Sequence, residues 1–245
     1  MTETVDAIRA RMGRVLDRIA TAARKSGREP ESVRLVVVTK LQPLEIVKGA
    51  IGAGARILGE NYPEEAAMKI EALGPQSGVE WHMIGHIQSR KAQLVPRHFD
   101  LVHSLDSLKL AQRLNRSASE AGRTLPVLLE FNVGGEESKH GWSAADEGRW
   151  SDLLADVNAI ADQTNLKVRG LMTLPPLSAD AEGARAYFQR LGRLRDFLRR
   201  QVGQAQWDEL SMGTSADFAV AVEEGATLVR VGQAILGPRP QAEGK

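Results

Sequence analysis

The stretch VRLVVVTKLQP, residues 33–43, decides how the rest of this 245-residue chain is read. Five of its first six residues are apolar and three of them are consecutive valines, so it is too short and too β-branched for a buried helix and reads as a strand covered on both faces. It then stops on Thr39 and Lys40, and Pro43 opens an amphipathic segment. A doubly covered strand followed by a helix is the unit of a parallel sheet, in which a crossover helix must join neighbouring strands.

The same alternation recurs from end to end. Strands are expected at 34–39, 55–58, 79–84, 99–103, 126–133, 166–171, 206–210 and 227–231, and helices at 43–53, 63–73, 88–95, 107–121, 144–163, 179–202 and 215–224. An additional helix at 5–25, ended by Gly27, precedes them. Eight strands interleaved with helices predict an α/β fold, a single (β/α)8 TIM barrel carrying an extra N-terminal helix, with an open doubly wound sheet as the alternative. There is no composition break or linker, so residues 1–245 are expected to form one domain.

In a barrel the functional side chains come from the C-terminal ends of the strands. Here those ends carry Thr39 and Lys40, Gly59 to Asn61, Gly85 and His86, His103 and Ser104, Asn132, Thr173, Ser211 to Ser215, and Gly232. A lysine at such a position, among apolar walls, is favoured as the neutral amine, which attacks aldehydes to give a Schiff base; the alternative is a lysine that reaches out to water. The segment ELSMGTSADFAVAVEEGATLVRVGQAILGPRP, residues 209–240, supplies Ser211, Gly213, Thr214 and Ser215 after the seventh strand and Gly232 and Gln233 after the eighth. Hydroxyls, glycines and helix starts there match the usual phosphate site of a barrel, although the same residues also serve as plain caps and turns. A reactive lysine facing a phosphate cradle would hold a phosphorylated aldehyde, and pyridoxal 5′-phosphate (PLP) fits.

Over roughly residues 34–237 the chain resembles the pyridoxal phosphate homeostasis protein family, which shares the fold type III barrel of alanine racemase. The resemblance is carried by VVVTK, GENY at 59–62, WHMIGHIQSRK at 81–91, EESKHG at 136–141, GLMT at 170–173, LSMGTSADF at 210–218 and LVRVG at 228–232. It implies that Lys40 is the Schiff-base lysine, that Ser211, Thr214, Ser215, Gly232 and Gln233 lie around the phosphate, that Asn61 and His82 approach the ring, and that Arg230 faces the pyridine nitrogen. Arginine only donates and stays protonated, so such a ring would be a poor electron sink. The chain departs from the family pattern at Gln233, where a threonine is expected, at Arg90, where an asparagine is, and at His86, where an apolar residue is.

Two functions follow from a PLP-binding barrel: a carrier that acts in vitamin B6 homeostasis, and an amino-acid racemase. Racemisation needs a second base opposite the lysine. With two tyrosines in the chain, only Tyr62, near the mouth, is placed for it, since Tyr187 is expected on an outer helix. The carrier is favoured, with apo PLP-dependent enzymes as recipients and a monomer or weak dimer as its state.

Other readings are weaker. His82 and His86 would share a strand face, so a metal-dependent hydrolase is a rival, but a third ligand is not evident and no metal is expected. GAGARILG at 52–59 lacks dinucleotide-loop spacing and precedes a strand instead of following one. The arginine-rich RAYFQRLGRLRDFLRR, 185–200, should bury Tyr187, Leu191, Leu194 and Leu198 and leave its charges in water. Lys139 reads as a loop lysine, and Pro63 as a first-turn residue of its helix. A formal charge of +1, with 32 basic and 31 acidic residues, gives no general attraction to nucleic acid or anionic lipid. Without cysteine there is no disulfide, thiolate site or cysteine nucleophile. The first residues interleave acids and arginines, unlike a signal peptide, so a cytoplasmic location is expected.

Overall fold

The computed structural model describes residues 4–74, 78–176 and 180–238. It contains the strands β1 (Arg34–Val38), β2 (Ile57–Glu60), β3 (Glu80–Met83), β4 (Leu101–Leu105), β5 (Leu125–Asn132), β6 (Trp142–Ser143), β7 (Leu166–Met172), β8 (Glu209–Ser211) and β9 (Leu228–Val231). The helices are α1 (Val5–Lys25), α2 (Leu44–Ala53), α3 (Pro63–Leu73), α4 (Val95–His98), α5 (Leu108–Glu120), α6 (Leu154–Ala161), α7 (Arg185–Gln201), α8 (Phe218–Glu223) and α9 (Gln233–Leu236). Every pairing is parallel, in the order β4-β3-β2-β1-β9-β8-β7-β5, and β4 also pairs with β5, so eight strands close on themselves. The open doubly wound alternative is thereby excluded.

Differences from the expected elements have local causes. β2 and β4 run two residues further toward the mouth than expected, ending at Glu60 and Leu105. The expected helix at 88–95 is a 3-10 segment, Ser89–Leu94, followed by α4, because Pro96 has no amide to continue an α-helical ladder through that point. The helix expected at 144–163 starts as a 3-10 segment, Glu147–Leu153, before α6. α8 is limited to six residues, since Asp217 turns its carboxylate back to Thr214. Ala179, the expected start of α7, lies outside the described residues, as does everything after residue 238. The two-residue β6, which the sequence did not suggest, pairs beside the mouth end of β5 through Phe131 and Asn132.

α1 begins with Thr4 accepting a hydrogen bond from the Ala7 amide and buries Ile8, Met12, Val15, Ile19, Ala22 and Ala23 as one stripe. That stripe packs on α2, α8 and α9, covering the place where the first and last barrel strands meet. On α7 the wholly buried ring is Phe188, not Tyr187, which is only partly buried. Its arginines are tied down: Arg185 to Glu182, Glu223 and Glu224, and Arg193 to Glu147. The main core lies between sheet and helices, while Val36, Ile57, Leu101, Leu128, Met172 and Leu228 form a separate apolar cluster within the barrel. Strand alternation puts Val36 in that interior and carries Val38, and past the strand end Lys40, to the mouth. Among the described residues no helix is long and apolar enough to cross a membrane.

Candidate functional site

A cavity of about 310 Å³ opens at the C-terminal mouth of the barrel. It brings together seven residues singled out from sequence: Lys40, Asn61, Thr214, Ser215, Arg230, Gly232 and Gln233. Val38, Ile84 and Leu174 supply apolar wall. A larger groove of about 530 Å³ between α2 and α3 is mostly apolar, and its two charged residues, Glu65 and Lys69, bond each other. The mouth cavity is therefore the candidate site, because it couples an amine at a strand end with a buried cation and backbone at a helix start.

Lys40 is placed from behind. Thr39 is buried, donates its hydroxyl to Glu60 Oε1 (2.7 Å), and has its carbonyl held by Lys69 Nζ (2.8 Å). Lys69 also bonds Glu60 Oε1 (2.8 Å) and Glu65 Oε1 (2.6 Å), and Glu65 accepts from the Leu41 amide (2.7 Å). Leu41 has φ +58, the left-handed region that a branched side chain disfavours, so this bend is imposed by its surroundings. Burial raises the Glu60 carboxyl, and the Lys69 ammonium works against it. Sequence reasoning missed this triad. Its one visible signal was Glu60 inside an otherwise apolar strand and Lys69 on the inward face of α3, at positions that ordinarily carry apolar residues.

Arg230 is held just as firmly. Nη1 donates to the Ser211 hydroxyl and Nη2 to the Thr173 carbonyl (2.9 Å). Burial brings its guanidinium down to about 10, with Glu130 and Asp217 acting in the opposite direction, so it is cationic at neutral pH. Beyond Ser211, His103 Nδ1 lies 2.7 Å from the Ser211 oxygen, His103 Nε2 lies 2.9 Å from His82 Nδ1, and His82 Nε2 lies 3.2 Å from Glu80 Oε2. Burial lowers both imidazoles, His103 the more so because His82, Arg230 and Arg34 add to it. With both rings neutral the line has one consistent polarity: Arg230 donates to Ser211, Ser211 to His103, His103 to His82, and His82 to the Glu80 carboxylate. Its far end enters a second cavity of about 170 Å³ at the N-terminal end of the barrel, lined by Arg34, Glu80, His82, Asp100, Leu101, Pro126, Arg169 and Glu209.

Three expected site residues thus sit elsewhere. His82 does not line the mouth cavity, because β3 ends at Met83 and its alternation puts His82 deep in the interior beside His103. Ser211 is wholly buried, with its hydroxyl committed to Arg230 and His103 instead of a phosphate. Gly213 is backbone: with φ +92 its carbonyl accepts from the Arg230 amide (3.0 Å), and a Cβ would fall 2.6 Å from Ala221 Cβ. Thr214 does line the cavity, but its amide and hydroxyl both engage Asp217 Oδ1 (2.6 and 3.0 Å), so a phosphate would compete with that carboxylate. Tyr62 is nearly half exposed at the start of α3 and is not part of the lining, and Tyr187 belongs to α7. His82 and His86 do not share a face: the chain turns at Gly85, where a Cβ would strike the Asn61 backbone at 2.6 Å, and His86 lies outside with Asp106. Glu130, missed from sequence although it is an acid inside PVLLEFNV, is buried, and burial together with Asp106 pushes its carboxyl up to about 7 against Arg230 and Lys139.

The model of the alanine racemase N-terminal domain family matches residues 12–240. The chain is 38% identical over 238 residues to the pyridoxal phosphate homeostasis protein of Vibrio alginolyticus, covering 96% of this chain and 99% of that one. With the protein of the same name from Pseudomonas aeruginosa it shares 41% over 228 residues, 93% and 94% of the two chains. The chain belongs to the pyridoxal phosphate homeostasis protein family. Among solved structures, PipY of Synechococcus elongatus with PLP bound superposes with a TM-score of 0.78 at 36% identity, over 91% of this chain and all (100%) of that one. An unknown protein from Bifidobacterium adolescentis gives 0.84 at 36% identity, covering 94% of this chain and 95% of that one. Alanine racemase from Streptomyces coelicolor gives 0.71 at 18% identity, covering 95% of this chain and 58% of the racemase, a likeness of fold. In this family member the expected barrel and N-terminal helix are both present.

The mouth cavity fits PLP on its own terms. Asn61 Oδ1 is buried there without a hydrogen-bond partner, a polar atom that a bound polar ligand would satisfy. Arg230 brings a desolvated cation to the cavity, and Ser215 and the Gly232–Gln233 backbone line it at the start of α9.

Proposed function

We propose that this protein binds PLP in the mouth cavity, with Lys40 as the amine that holds it, and acts in PLP homeostasis as a carrier or regulator and not as a robust enzyme. The observation that carries this reading is the single cavity that lines up Lys40, the unpartnered Asn61 Oδ1, Arg230 and the Gly232–Gln233 turn. The family and the PLP-bound PipY relative support it. PLP supplies an aldehyde that condenses reversibly with amines, and the protein residues do the rest. Lys40 takes the aldehyde from a backbone fixed by Lys69, Glu60 and Glu65. Arg230 donates toward the ring nitrogen and keeps a proton off it, which limits carbanion chemistry. Ser215, Gly232 and Gln233 receive the phosphate. Neither tyrosine lines the cavity, which weighs against a two-base racemase.

We read residues 1–245 as one functional unit, located in the cytoplasm, a monomer or weak dimer, with apo PLP-dependent enzymes as recipients. The deciding experiment is borohydride reduction of PLP-loaded protein followed by peptide mass analysis. A pyridoxyl increment on the peptide containing Lys40, absent in Lys40→Ala, is expected; an unmodified Lys40 peptide overturns the reading. Transfer of PLP to an apo-enzyme supports the carrier, whereas robust turnover of an amino acid to its enantiomer replaces it with the racemase.

A further inference from the structure

Three loops at the mouth end of the barrel bring potential metal ligands together. His86 follows β3, Asp106 directly follows β4, and His140 lies between β5 and β6. His86 Nδ1 stands 2.7 Å from Asp106 Oδ2, the rings of His86 and His140 are stacked with centroids 3.9 Å apart and 10° between planes, and one ligand atom from each residue lies within 4.8 Å of the other two. We propose that His86, Asp106 and His140 form a divalent transition-metal site with an open coordination position. This site is separate from the Lys40 cavity, which none of the three residues lines, and does not depend on the reading given above.

Two imidazoles and a carboxylate, with no thiolate anywhere in a cysteine-free chain, make a borderline donor set suited to Zn²⁺, Co²⁺ or Ni²⁺ and poorly suited to Mg²⁺ or Ca²⁺. Ligand bonds of about 2.0–2.2 Å place the donors of a tetrahedral centre roughly 3.3–3.5 Å apart, so the cluster is within side-chain rotations of that geometry. The supporting partner of the carboxylate is already present: Ser107 donates to Asp106 Oδ1 (3.0 Å), which leaves Oδ2 turned toward His86. Asp106 is mostly buried and anchored at the start of α5, whereas His86 and His140 are exposed and free to adjust. Two exposed rings and one anchored carboxylate leave a side open to water, as a three-ligand centre requires. A bound cation would fasten the segment carrying His140 to the ends of β3 and β4.

The test is equilibrium dialysis of the EDTA-treated full chain against zinc chloride, with zinc quantified by mass spectrometry. It is run on protein as isolated and after hydroxylamine has stripped any bound aldehyde, which separates protein-held from cofactor-held metal. One equivalent of zinc in both preparations is expected, with affinity lowered by about tenfold or more in His86→Ala, Asp106→Asn and His140→Ala and unchanged in His98→Ala. Cobalt in place of zinc should give the intense visible absorption of a low-symmetry site, lost in His140→Ala. His140 is exposed on a loop, so its removal leaves the fold intact. Zinc held equally well by His140→Ala, or held only before hydroxylamine treatment, overturns the proposal.

Discussion

Replacing Lys69 by methionine should destabilise the protein by about 3–5 kcal/mol at neutral pH, the usual cost of leaving a buried ion without its partner. The structure shows why the effect falls at the upper end for a point change. The Lys69 side chain is 8% exposed and makes three charge-assisted bonds, to Glu60, Glu65 and the Thr39 carbonyl. The Glu60 side chain is 0% exposed, and its Oε2 already has no partner, so the carboxylate left behind has only the Thr39 hydroxyl. For a chain of this length the loss corresponds to a lowering of Tm by roughly 6–20 °C. Glu60 can escape by taking up a proton, since burial already raises its pKa and Lys69 is the main influence holding it down. A carboxyl whose folded pKa exceeds its unfolded one contributes stability that is complete below the unfolded value and lost as pH rises through the folded value. The Lys69→Met deficit should therefore be largest at alkaline pH and shrink on acidification. Thermal and urea unfolding of the wild type, Lys69→Met, Glu60→Gln and the double variant across pH provide the assay. The double variant buries no charge from the pair and should recover most of the loss. A deficit under about 1 kcal/mol, or a double variant as unstable as Lys69→Met, would refute the reasoning.

Glu130→Gln should flatten the fall in stability that the wild type shows as pH rises through about 7, the point to which burial and Asp106 push this carboxyl; urea midpoints on either side of that pH measure it, and parallel curves for the two proteins would count against it. Ser211→Ala removes the hydroxyl between Arg230 and His103, at an expected cost of about 1–3 kcal/mol in urea unfolding, and should shift the absorption of bound PLP because Arg230 loses a partner; an unchanged spectrum would separate Arg230 from the ring. Gly213→Ala must place a Cβ at φ +92 within 2.9 Å of the Phe218 Cα, so a loss of at least about 2 kcal/mol is expected from thermal unfolding.

The barrel was legible because its evidence is periodic: apolar runs such as 35–38 followed by amphipathic segments leave few alternatives for a chain of eight repeats. Lys40 stood out as a charge at the end of such a run, whereas Arg230 was singled out by the family resemblance; both line the mouth cavity. The misplacements of Ser211 and His82 share a cause. Both stand at inward positions of barrel strands, and sequence alone gives the face but not the depth at which a side chain meets partners from strands distant in sequence. Only when β3, β4, β8 and β9 are closed into a ring does Ser211 fall between Arg230 and His103. Glu60 and Lys69 escaped notice because a charge at an inward position is read as a strand or helix edge until its partner is known, and only their pairing makes burial tolerable. The breaks in the 88–95 and 144–163 helices came from proline and 3-10 geometry, which hydrophobic spacing does not register.

With both imidazoles neutral, the hydrogen bonds from Arg230 down to Glu80 point one way through the barrel, like a row of compass needles fixed at both ends by opposite charges. Neutralise the carboxylate at the bottom and the two imidazoles and the Ser211 hydroxyl are free to re-orient, while Arg230, which only donates, meets a different lone pair of the same oxygen without any backbone having moved. A substitution at residue 80, at the N-terminal end of the barrel, thus reaches the hydrogen bonding of Arg230 at the mouth while leaving every wall of the mouth cavity as it was.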